Sequence, residues 1–209
     1  MARALTRRFL MAAWAAALLA MAAGCERSPD APPAFKSLDI TGADYGQGWT
    51  LPDVDGTPRT AADFKGKVTV VFFGFTQCPD VCPTTLAELA EAKRLLGADG
   101  ARVQGVFVTV DPARDTPEVL RAYVGSFGPD ILALRGDDAQ TLAVAKSFKV
   151  FYAKAPGATE TSYTMDHTAA SYVFDADGRL RLFVRYGAGA EALAHDLKLL
   201  LQQSPAGQT

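Results

Sequence analysis

Apolar positions fall into runs of two kinds along this chain. Val68 to Phe75, Val103 to Val110 and Ile131 to Leu134 are continuous hydrophobic stretches, the pattern of strands covered on both faces. Leu86, Leu89, Ala90 and Leu96 instead recur at helical spacing. They predict an amphipathic helix with Pro83 at its first helical position and a stop near Gly97. Thr116-Pro117-Glu118 opens a second helix that carries Val119, Leu120, Tyr123, Val124 and Phe127 on one side. Asp137 with Gln140 predicts a capping box for a third, running through Phe148. Trp49 to Val54, followed by Asp55-Gly56, reads as an early hairpin element. Ser171 to Phe174 and Leu180 to Tyr186 flank the turn residues Asp175-Ala176-Asp177-Gly178, a second hairpin, and Ala190 to Gln202 closes as a helix. No internal repeat is visible.

Parallel strand–helix units followed by an antiparallel hairpin and a helix predict an α/β, thioredoxin-like fold: a central mixed sheet flanked by helices, with an N-terminal hairpin. A length of 209 residues, with 49% hydrophobic and 21% charged, suits one well-buried domain. Arg3, Arg7 and Arg8 precede an apolar run from Phe9 to Ala23, so residues 1–24 read as a signal peptide or short membrane anchor. The small residues before Cys25 resemble a lipoprotein cleavage box, with Ala22 where such boxes usually have Leu, and make Cys25 a candidate lipid acceptor. The adjacent arginines also have a twin-arginine flavour. Pro29, Pro32 and Pro33 mark residues 25–40 as a tether, which leaves 41–205 as the domain and 206–209 as a tail. The expected location is therefore the periplasmic side of a bacterial inner membrane, held through the N-terminus.

Charge narrows the partners. The net charge of -2 becomes -5 once residues 1–24 are removed, with 18 basic against 23 acidic residues remaining. That balance argues against nucleic acid, which needs a basic footprint.

The chemistry-bearing residues gather where the first long apolar run ends. Cys78 and Cys82 stand between that strand and the following helix at C-x3-C spacing, with a solitary His167 downstream. In open sheets of this kind ligands gather outside the carboxyl ends of the strands, where Asp111 also falls. Apart from Cys25 these are the only thiols, and in an oxidising compartment such a pair is in use or paired. The spacing, one residue longer than the redox C-x2-C, together with the histidine favours a soft metal ion over dithiol exchange. A helix start should help the thiols toward thiolate. His167-Thr168 falls where thioredoxin-like folds commonly place a cis-proline facing the cysteines, so His167 is the expected third ligand. His195, in Ala194-His195-Asp196, reads as merely solvated.

The motifs as a set resemble the Sco/SenC family of copper-binding proteins of cytochrome oxidase assembly, over roughly residues 45 to 205. The resemblance rests on Asp63-Phe64-Lys65-Gly66-Lys67, Cys78-Pro79-Asp80-Val81-Cys82-Pro83, Thr109-Val110-Asp111-Pro112 with Arg114-Asp115-Thr116-Pro117, and Asp166-His167-Thr168 with Tyr172. It implies copper bound by Cys78, Cys82 and His167 and delivery to the binuclear copper centre of cytochrome c oxidase subunit II; one copper per monomer is expected, since the residues of the folded domain can assemble only one set of two thiolates and an imidazole. Other periplasmic copper carriers or thiol reductants would then be further partners. It also suggests a tuning or partner-contact role for Asp111 and Asp115, whose plain alternative is a strand end and a helix cap.

Two thiolates suit Cu(I), and an added imidazole lets the same set accept Cu(II). Zinc would usually want a fourth protein ligand in a structural site. A structural disulfide between Cys78 and Cys82 would close a loop too short to stabilise the fold much. A thiol-disulfide oxidoreductase that reduces the oxidase cysteines is the competing function, and on that reading the pair is a redox disulfide. Cys82-Pro83-Thr84 has a peroxiredoxin flavour, but Pro79 stands where those enzymes carry Thr or Ser.

Overall fold

The computed structural model describes residues 34–157, 159 and 162–203. The N-terminal apolar segment, Cys25 and the tail 206–209 lie outside them. Among the described residues no helix is long and apolar enough to cross a membrane.

The strands are β1 (Leu38–Asp39), β2 (Thr50–Pro52), β3 (Pro58–Thr60), β4 (Val68–Gly74), β5 (Val103–Thr109), β6 (Ile131–Leu134), β7 (Tyr152–Pro156), β8 (Tyr163–His167), β9 (Ala170–Phe174) and β10 (Leu180–Arg185). The helices are α1 (Val81–Leu95), α2 (Pro117–Gly125), α3 (Asp138–Ser147) and α4 (Ala190–Gln203). A six-stranded sheet runs β1-β10-β9-β4-β5-β6, with β4, β5 and β6 parallel and the other pairings antiparallel. The expected early hairpin is β2–β3, with Leu51 opposite Arg59. This is the mixed, helix-flanked sheet of a thioredoxin-like fold.

Every residue of β4 is buried, as its unbroken apolar run requires. Val68 and Val70 pack with Leu89 and Ala92 of α1 and Leu193, Leu197 and Leu200 of α4. Val71 and Phe73 alternate to a larger cluster that holds Leu120 and Val124 of α2, Val144 and Ala145 of α3, and Phe148. The Asp137–Gln140 capping box forms as expected.

Three local expectations need correction. Helix α1 starts at Val81, so Pro83 is its third residue; the first turn has no intrahelical acceptor for its N–H groups, and proline is tolerated there. Helix α2 is short, so Phe127 lies beyond its end and Val119 is exposed, while Leu120 and Val124 carry the buried stripe. Residues 36–40, read from the sequence as tether, are bound into the domain. The backbone N–H groups of Lys36 and Ser37 donate to the buried Asp196 carboxylate at 2.7 and 2.8 Å, and Leu38 and Asp39 pair with β10 as an edge strand.

The hairpin β7–β8 was not foreseen at all. It forms its own two-stranded sheet, with Tyr152 opposite His167 and Pro156 opposite Tyr163.

Candidate metal centre

The parallel pairing of β4 and β5 aligns Gly74 with Thr109, so both strands end at the same edge. The chain leaving β4 turns through Thr76 and Gln77 to Cys78 and enters α1 with Cys82 in its first turn. Gly74 is required by that approach. A methyl group there would meet Cys82 Sγ at 2.8 Å and the rings of Phe107 and Phe72 at 2.9 Å each. The Cys82 thiol therefore lies against the strand itself and is fully buried, whereas Cys78 is half-buried at the rim.

Cys78 Sγ accepts the backbone N–H of Cys82 at 3.4 Å, which satisfies a helix-start donor that the Asp80 side chain leaves open. Across the edge, His167 Nε2 lies 3.5 Å from Cys82 Sγ. His167 Nδ1 lies 3.1 Å from the Thr168 carbonyl, an acceptor only, so Nδ1 carries the proton and the Nε2 lone pair faces the thiols. The imidazole stands edge-on to Phe72 and Phe75, with centroids 6.0 and 5.9 Å away.

The two thiols are electrostatically unlike. The Cys82 thiol donating to it, with backbone N–H groups, lowers Cys78 from its ordinary value to about 5, against the opposing effect of burial. Cys82 is pushed far up by that same hydrogen bond, by burial and by the negative charges of Cys78 and Asp115. The expectation that the helix start favours thiolate at both positions therefore holds for Cys78 alone.

The two aspartates stand behind the thiols. Asp115 is fully buried and accepts hydrogen bonds from Thr76 Oγ1 at 2.6 Å, Thr109 Oγ1 at 2.5 Å and the Thr76 backbone N–H at 3.2 Å. Burial raises its carboxyl above the usual range. It is not the helix cap; Thr116 is, through its hydroxyl. Asp111 follows β5 and accepts from Arg114 Nε at 2.5 Å and Tyr163 Oη at 2.9 Å. Both carboxylates are buried, so neither offers a partner a surface. Asp115 ties the Cys78 loop to β5, and Asp111 ties β8 to it. His195 lies apart on α4, with its Nδ1 3.0 Å from Asp196 Oδ1, so it is hydrogen-bonded rather than merely solvated.

Cys78, Cys82 and His167 thus offer ligand atoms all within 4.8 Å of one another, the one such group of three found among the described residues. Two sulfurs and an imidazole nitrogen form a soft to borderline donor set, and the closed fourth position of a structural zinc site is missing from it.

The SCO1/SenC family model matches residues 39–202. The chain belongs to the SCO1/SenC family. An SCO2-like protein of Rickettsia felis is 36% identical over 155 residues, which are 73% of this chain and 76% of that protein. The structure of Bradyrhizobium japonicum ScoI with copper bound is 42% identical and superposes with a TM-score of 0.67, covering 74% of this chain and 98% of that one. The solution structures of apo Sco1 from Thermus thermophilus are 37% identical, with a TM-score of 0.72 over 80% of this chain and 98% of that one. In this Sco/SenC chain, sequence alone missed Thr76, Gln77 and Tyr163 as supports of the site. The period-two alternation of Tyr163, Met165 and His167 was the signal for the last of these.

Proposed function

We propose that this protein is a copper metallochaperone that takes up one copper ion through Cys78 Sγ, Cys82 Sγ and His167 Nε2 and delivers it to the binuclear copper centre of cytochrome c oxidase subunit II. The convergence of those three donor atoms within 4.8 Å carries the reading. The family membership supports the oxidase as destination. Copper is cargo here, so the chain must both bind and release it. Cys78 is half-buried and already favours thiolate, which suits it to first capture and to exchange with a partner's thiols. Cys82 must shed its proton as the ion enters, so uptake releases a proton and acid favours release. The N-terminal segment, through its apolar run or a lipid on Cys25, would hold the domain at the periplasmic face of the membrane.

Anaerobic titration of the reduced chain tests this reading. One Cu(II) per monomer should bind with a sulfur-to-copper charge-transfer band, and Cys78→Ser should lose both band and tight binding. Full retention of stoichiometric tight binding in that variant would sink the ligand assignment.

The asymmetry of the thiols favours a second reading, a thiol-disulfide oxidoreductase. Cys78 thiolate would attack a disulfide of the oxidase subunit, releasing one partner thiolate and leaving a mixed disulfide. Cys82, on losing its proton, would then displace the partner's second sulfur, leaving the partner a dithiol and this chain a Cys78–Cys82 disulfide. His167→Ala separates the two, since it keeps the dithiol and removes the third donor. Full restoration of oxidase assembly by that variant would favour the oxidoreductase.

A further inference from the structure

His167 is carried by an arm, not by the main sheet. Hairpin β7–β8 has no ladder to the six-stranded sheet and joins it only at its base, so beyond that base its tilt is set by side chains. The His167 end is the base of the arm: the Thr168 N–H donates to the Phe151 carbonyl and the Phe151 N–H to Thr168 Oγ1, both at 3.0 Å, and the arm joins the main sheet through Ala169, whose carbonyl accepts the Tyr186 N–H at 3.1 Å. Met165 packs into the core, a contact with little directional preference.

The other end is fastened to the domain by directed bonds. Strand alternation puts Tyr163 on the same face of β8 as Met165 and His167. Arg114 Nη1 donates to the Tyr163 carbonyl at 2.7 Å and to Gln77 Oε1, in the Cys78 loop, at 3.0 Å. Its Nε donates to Asp111, and its guanidinium carbon lies 3.6 Å from the centre of the Tyr163 ring and 5.9 Å from that of Phe75. Tyr163 Oη closes the circuit on the second oxygen of Asp111 at 2.9 Å. One guanidinium thus joins the arm, the loop bearing Cys78 and the end of β5, with both oxygens of a buried carboxylate engaged. Lysine offers no such planar fork.

We infer that Arg114, Asp111 and Tyr163 form a clasp that sets His167 over the two thiols, which makes Arg114 a positioning residue for the nitrogen ligand of copper. This inference rests on Cys78, Cys82 and His167 being the ligand set. Two thiolates suffice for Cu(I), whereas Cu(II) also draws on the imidazole. The clasp therefore governs how well Cu(II) is held and leaves Cu(I) nearly untouched.

The test compares Arg114→Gln, Arg114→Lys and His167→Ala with the wild-type full-length chain. In the reduced, metal-free protein both Arg114 variants should speed amide exchange of Met165 and His167 selectively, leaving the amides of β4 and β5 protected. Their Cu(II) affinity should fall roughly 10–100-fold, with a weakened or shifted charge-transfer band, as for loss of a group that orients a metal ligand. Cu(I) affinity, measured by competition with a chromophoric chelator, should change by less than about threefold. Tyr163→Phe keeps the ring and loses one hydrogen bond, so Cu(II) should weaken about fivefold; it carries the test if Arg114→Gln does not fold. Cu(II) binding unchanged in the Arg114 variants but lost in His167→Ala would overturn the clasp, as would equal losses of Cu(I) and Cu(II). If His167→Ala binds Cu(II) as the wild type does, the ligand reading itself falls and the clasp falls with it.

Discussion

Replacing Gly74 by alanine tests how tightly the thiol is set against the sheet. The added methyl would lie 2.8 Å from Cys82 Sγ and 2.9 Å from both Phe107 and Phe72. Carbon atoms pack best at about 3.5–4.0 Å, so each contact is too close by roughly 0.6–1.2 Å. Phe107 and Cys82 are fully buried and Phe72 nearly so, so none can swing into solvent. Overpacking of this kind costs about 1–3 kcal/mol, and three rigid neighbours place the cost toward the upper end. Replacing glycine recovers about 0.4–1 kcal/mol through the unfolded chain. The net loss is about 1–2 kcal/mol, or roughly 2–8 °C in Tm for a domain of this size. Urea unfolding of the reduced, metal-free protein should show a lower midpoint at unchanged slope. Cu(II) affinity should fall as well, because relief of the clash moves Cys82 Sγ. An unchanged Tm together with unchanged Cu(II) affinity would refute the close approach of thiol and strand.

Three further outcomes follow from the site. Alkylation of the metal-free protein by iodoacetamide should modify Cys78 first and remain fast down to about pH 5, falling below it as the thiolate is protonated; mass spectrometry of the labelled peptides reads this directly. Cys82→Ala should move that profile toward the ordinary thiol range, because the donor that lowers Cys78 is gone, and a profile unchanged by the substitution would exclude the thiol–thiolate bond. His167→Ala should weaken Cu(II) binding and leave the reduction potential of the cysteine pair nearly unchanged, while His195→Ala should alter neither; identical behaviour of the two variants would remove His167 from the site.

The fold was legible where burial on both faces forces continuous apolar runs, as in β4, β5 and β6, and where local chemistry is decisive, as in the Asp137–Gln140 box. The thiols and His167 were legible because few residue types can do their chemistry. Hairpin β7–β8 was missed because its strands are only partly covered and carry Lys154, Thr164 and Asp166 among the apolar positions. The division of labour between the thiols was equally hidden. Helix-start proximity is a local feature and predicts the same sign for both, whereas burial and the carboxylate of Asp115 depend on where β5 ends in space.

That division matters to both functional readings. Joining Cys78 and Cys82 removes two electrons and two protons and ties up the sulfur lone pairs that would hold copper, so disulfide and copper-loaded forms exclude one another. The half-buried Cys78 is the thiol a partner can meet, and the buried Cys82 completes either outcome, as second copper donor or as resolving thiol. Two thiols in this arrangement suit both roles, so their asymmetry admits the reductase reading without deciding for it. The third donor divides them by experiment. An imidazole whose Nδ1 is committed to the Thr168 carbonyl and whose Nε2 faces Cys82 at 3.5 Å would be a copper ligand in a metal site and a base for the Cys82 proton in a reductase, so its removal should abolish tight Cu(II) binding in the first case and only slow thiol exchange in the second.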